Sequence, residues 1–119
     1  MFDARAFDKL REAVGDDPAD LVDIAASFLE EAPTLLQSMV QAAESGDHDT
    51  VHRQAHSLKS NARDFGATRL AELCQVLEHE LRSGGRPDDL VQRVAAVSVA
   101  WDEVLPLLTA EIERIGSGG

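Results

Sequence analysis

Cysteine occurs once in the 119 residues, as Cys74, so neither an internal disulfide nor a cysteine-built zinc site is possible. No apolar run approaches the roughly 18 residues of a membrane span. The opening MFDARAFDKL carries acids and lacks the apolar stretch of a signal peptide. Bases are scarce, 11 Lys and Arg against 22 Asp and Glu, a net charge of −11. That balance argues against nucleic acid or an anionic membrane surface as partner, because both require phosphates to be neutralised. Only four prolines and eight glycines punctuate the chain, and three of the glycines lie in the last four residues. What remains is a globular composition, 44% hydrophobic and 28% charged, sized for one cytoplasmic domain.

The apolar residues recur with the helix period, and the strand period is missing. A short helix is expected from Asp3 to Val14, with Asp3 as N-cap and Gly15 as its stop. A second starts near Pro18 and presents Leu21, Ile24, Ala25, Phe28, Ala32, Leu35, Leu36, Met39, Val40 and Ala43 on one face until Ser45-Gly46; Pro33 should kink it. A third spans Asp47–Asp49 to Gly66, and a fourth runs from Thr68, as N-cap, to Ser83. The last runs from about Pro87 to Ile115 with a seam of Leu90, Val94, Val97, Trp101, Val104, Leu108, Ile112 and Ile115, bent at Pro106. Four amphipathic helices on short connections pack most simply as an antiparallel up-down four-helix bundle, with the additional short N-terminal helix covering one end. Residues 1–115 form this all-α domain, and 116–119 read as a flexible tail.

The third helix carries a basic stripe. With Val51 at zero, Val51, Ala55, Leu58, Ala62 and Phe65 stay within about 40° of the core direction, while His52, His56, Lys59 and Arg63 fall between about 80° and 140°. Val51 to Arg63 contains three bases, two histidines and no acid, whereas the first 50 residues hold twelve acids against three bases. Such a strip suits a transient anion such as a phosphoryl group, or an acidic pocket on a partner; its bland alternative is a solvated helix face. An imidazole has an ordinary pKa of about 6.5 and can act as a nucleophile at neutral pH. His56 borders the apolar face, accessible enough to react and close enough to the core to be held.

Glu78 lies at the edge of the fourth helix's apolar stripe, where its carboxylate can face the third helix. A hydrogen bond to one His56 nitrogen would fix the tautomer and leave the other nitrogen free. The plain alternative is a boundary carboxylate paired with Arg82 at i+4.

Ala55-His56-Ser57-Leu58-Lys59-Ser60, followed by Gly66-Ala67, Leu70, Leu73-Cys74 and Leu77-Glu78, resembles the histidine-containing phosphotransfer (HPt) domain over about residues 51–82. The helix layout, including FLEEAP at Phe28–Pro33, is compatible over nearly the whole chain. The resemblance implies a carrier that takes a phosphoryl group from one receiver-domain aspartate and passes it to another. By that match His56 is the phosphorylated residue, Lys59 steadies the phosphoryl oxygens and Glu78 orients the histidine. Ser60 stands where the family commonly has glycine; serine is small and is expected to be tolerated, with slower transfer or narrower partner choice as the alternative its hydroxyl leaves open. Arg63 and His52 are given only supporting electrostatic roles. The implied partners are response-regulator receiver domains and a hybrid histidine kinase. No cofactor is expected on this chain, the Mg²⁺ residing on the receiver. Docking should surround His56, with Phe2, Phe7 and Leu10 either exposed for it or buried as a bundle cap.

His48, His52 and His56 recur every four residues, which raises metal binding, but no Glu-x-x-His pair accompanies them. A degenerate HPt-like bundle that binds a receiver or kinase without carrying phosphate is the stronger rival, and intact His56, Lys59 and Glu78 weigh against it. A histidine kinase would need a glycine-rich ATP-binding segment, which the chain lacks. Dimerising phosphotransfer modules give two helices per subunit; four in one chain indicate a monomer.

Overall fold

The computed structural model describes residues 2–15 and 17–117. It is all-helical over those residues: α1 (Arg5–Ala13), α2 (Pro18–Glu44), α3 (His48–Asp64), α4 (Thr68–Arg82) and α5 (Leu90–Gly116). Each of α2 to α5 packs on its two neighbours in chain order, and α5 closes the ring against α2. The result is an antiparallel four-helix bundle within an envelope of 47 × 22 × 20 Å. α1 packs on α2 and α3.

Local chemistry sets the element ends. Asp17 accepts from the Ala19 N–H at 3.0 Å and Pro18 opens α2. Asp47 accepts from the Thr50 N–H at 3.2 Å to start α3. Four expected boundaries shift. The N-cap position of α1 is Ala4, although Asp3 still accepts the Arg5 N–H at 3.0 Å from one residue further out. Thr68 is the first residue of α4 and Ala67 its N-cap, because Gly66 (φ 73°) turns the chain at once and Ala67 N–H closes back on Ala62 C=O. α5 begins at Leu90, three residues later than expected, since Asp88 and Asp89 are used in a turn after Pro87. Its other end reaches Gly116, with Ser117 as C-cap, so the first residues of the expected tail belong to the helix end. Gly118 and Gly119 lie outside the described residues.

α2 and α5 run unbroken through Pro33 and Pro106. Both rings are exposed, so the carbonyl each deprives of a partner is on the solvent side. The expected apolar faces pack into the core, with Leu35, Val40 and Ile112 partly buried, apart from Ile24, which is 39% exposed. All five aromatic residues form one string: Phe2 on Phe7, Phe7 on Phe65, Phe65 stacked on Phe28 at 4.8 Å, and Phe28 edge-on to Trp101. This string, with Phe7 only 2% exposed, fastens α1 over the end of the bundle that holds the α3–α4 turn. Of the proposed docking residues, Phe7 is therefore core, while Phe2 and Leu10 are half-buried against it.

Candidate functional site

The tight turn at Phe65–Ala67 folds α4 antiparallel onto α3 and brings His56 level with Glu78. The imidazole Nδ1 lies 2.8 Å from Glu78 Oε1. The two side chains are 59% and 4% exposed, so a solvent-facing ring is anchored on a buried carboxylate. Lys59, one turn further along α3, reaches to the other oxygen, with Nζ 2.6 Å from Glu78 Oε2. Its long stem is largely covered, leaving the side chain 15% exposed.

Burial works to raise the Glu78 carboxyl pKa, but hydrogen bonds from Lys59 and then His56 outweigh it, and the group titrates below its usual 4.5. Glu78 is therefore ionised at neutral pH and only accepts hydrogen bonds. Nδ1 of His56 must then carry its proton, which leaves the Nε2 lone pair free on the exposed side of the ring. The thiol of Cys74, one turn before Glu78, is fully buried. Burial, reinforced by the Glu78 charge, pushes it up to about 12.

The remaining predicted residues are not bonded to the side chains of this pair among the described residues. Arg63 crosses to α4 and donates to Gln75 Oε1 at 2.7 Å. The exposed Ser60 donates back along the helix to the His56 carbonyl at 3.2 Å. His52 is half-buried, and its Nε2 is enclosed without a hydrogen-bond partner among the described residues. The stripe is thus less uniform than its spacing implied, since Lys59 and Arg63 are each turned onto α4. Arg82, expected from the sequence only as a surface partner of Glu78, is a further neighbour of the pair. Its guanidinium lies 3.8 Å from Glu78 Oε1 and is 63% exposed beside the imidazole anchor. The i+4 spacing from Glu78 was the available signal.

Among the described residues no group of three or more His, Cys, Asp or Glu side chains is arranged to hold a metal ion. No helix of the described residues is long and apolar enough to cross a membrane. What the arrangement offers is an oriented nucleophilic nitrogen, a buried counter-charge behind it and cations at hand.

Comparison with known proteins gives a consistent result. A family model described as "Hpt domain" matches residues 23–118. Histidine-containing phosphotransfer protein B (HptB) from Pseudomonas aeruginosa PAO1 is a similar solved structure, with a TM-score of 0.82 at 25% identity over 95% of each chain. No curated protein matches.

Proposed function

The chain belongs to the Hpt domain family, and from that premise we propose that it is a phosphorelay carrier that accepts a phosphoryl group on His56 Nε2 from a receiver-domain aspartate and passes it to another receiver. The observation that supports this most directly is the 2.8 Å contact between Nδ1 and a buried, ionised Glu78 behind an exposed Nε2. In the forward step the Nε2 lone pair forms the N–P bond as the aspartyl O–P bond breaks, and the aspartate leaves as a carboxylate. Nδ1 keeps its proton throughout. The ring becomes cationic, and Glu78 stands against that new charge. Nothing in this step requires a base to take a proton away.

Lys59 holds the charge of Glu78 in balance in the resting protein. Its flexible stem lets the ammonium turn toward the phosphoryl oxygens as they arrive, exchanging one oxyanion for another. Positioning and charge stabilisation supply most of phosphoryl-transfer catalysis. Mg²⁺ is expected in the acidic pocket of the receiver, with this chain contributing no cofactor. The reading takes the protein as a cytoplasmic monomer working between a hybrid histidine kinase and response regulators, a carrier rather than a kinase.

The test is label transfer from phosphorylated receiver domains to the wild type and to His56→Gln. Acid-labile label should appear on the wild type alone, and His56→Gln should keep its helicity because the replaced ring is mostly solvent-facing. Label on the variant would sink the assignment. A folded wild type that takes no label from receivers would favour the binding-only alternative.

A further inference from the structure

The family match begins at Asp23, so α1 lies outside it. A groove of about 480 Å³ runs between α1 and α4, lined in part by Asp3, Arg5, Lys9, Arg63, Glu72 and Gln75. Arg5 is held by Asp3 and Arg63 by Gln75. Lys9 is exposed and makes no ion pair among the described residues. Arg63 follows His56 by two turns on the same flank of α3, about 10 Å along the axis. The groove therefore continues the line of the reactive histidine toward α1.

Charge is divided between the sides of the bundle. α2 carries five acids and no base, and α5 four acids and two bases, a net −7 for this adjacent pair. Both bases of α5 are engaged, Arg93 with Glu80 and Asp89, and Arg114 with Glu111. α1 and α3 together hold six bases and four acids, a net +2 within a chain of −11. An acidic body approaching this molecule meets repulsion over α2–α5 and attraction over α1–α3.

We infer that α1 is a partner-selecting element: Lys9 and the groove between α1 and α4 receive an acidic surface of the protein that docks over His56, while the α2–α5 side turns that partner away. This rests on the carrier reading and deepens it. It assigns to a helix outside the family match a role in choosing which acidic domain is served, and an ionic-strength dependence of that choice.

Two substitutions of equal net charge test it, Lys9→Gln on α1 and Gln37→Glu at an exposed position of α2. Phosphoramidate serves as a partner-free donor to His56, and receiver domains phosphorylated with acetyl phosphate are the protein probes. Both variants should take label from phosphoramidate like the wild type. With receivers at low salt, Lys9→Gln should transfer about threefold more slowly and Gln37→Glu at the wild-type rate, the difference vanishing near ~0.5 M salt. Wild-type transfer by Lys9→Gln at low salt, or equal slowing by both variants, would overturn the role of α1. A wild type that takes label neither from phosphoramidate nor from receivers would instead overturn the carrier reading and this inference with it.

Discussion

Nδ1 of His56 sits 2.8 Å from Oε1 of Glu78, one of the few contacts in the bundle that join an exposed side chain to a buried charge. The pair depends on Lys59, whose ammonium holds Oε2 at 2.6 Å. Glu78→Ala would leave the part-buried ammonium without its anion and the ring without its anchor. We expect it to cost about 1–3 kcal/mol of stability, as for a buried polar group deprived of its partner. Glu78→Gln keeps an acceptor for Nδ1 and should lose less. Urea denaturation of both variants checks the order, and a Glu78→Ala protein as stable as the wild type would show that the carboxylate has no structural share.

The same carboxyl predicts a pH dependence with a definite sign. Its pKa is lower in the folded chain than the usual 4.5. It therefore contributes stability above that value and loses the contribution as pH falls through the folded pKa. Asp3 and Asp47 shift in the same direction, through hydrogen bonds from Arg5 and Thr50. Only a difference isolates Glu78. The stability gap between wild type and Glu78→Gln should narrow as pH falls below about 4.5. A gap that instead widens below that pH would mean the carboxyl is protonated in the native state.

Much of this arrangement was legible in the sequence, for reasons particular residues make clear. The 3.6-residue period placed His56 and Glu78 on the borders of their stripes, and a hairpin between adjacent helices leaves borders facing one another. The resting position of Lys59 was not legible, because a flexible ammonium chooses between anions and spacing does not say which is nearest. Arg82 was visible only as an i+4 partner, since its value depends on Glu78 being buried. Thr68 looked like an N-cap by residue type, yet the left-handed turn at Gly66 closed the loop one residue earlier. Ile24 matched the apolar period but fell at the edge of a stripe too wide for the core to cover.

Cys74 gives a prediction about reactivity. Its thiol is fully buried, and burial together with the nearby Glu78 charge raises it to about 12. The thiolate is the reactive form, so at pH 8 the native protein should react with a disulfide reagent such as DTNB far more slowly than the same chain in guanidinium. Rapid native labelling would mean that α4 opens readily beside Glu78, and the anchoring of His56 would have to be looser than its geometry.

Gly66 offers the sharpest test of how α1 is held. Its backbone is left-handed at φ +73°, and an added Cβ would run into the Asp3 carbonyl. Asp3 N–H donates to the Gly66 carbonyl at 2.7 Å, so this approach is what seats the start of α1 against the α3–α4 turn. Gly46 has nearly the same backbone, φ +74°, with nothing within 4 Å of its would-be Cβ. Gly46→Ala therefore carries the strain of a left-handed alanine alone, about 1 kcal/mol. Gly66→Ala adds the clash and should cost about 1–3 kcal/mol beyond it, concentrated in α1. Hydrogen exchange should show the α1 amides losing protection in Gly66→Ala while those of α3 and α4 keep theirs. The two alanine variants share their backbone strain, so equal stability losses would mean that the Asp3–Gly66 contact does not hold α1, and the aromatic string from Phe2 to Trp101 would be left as its fastening.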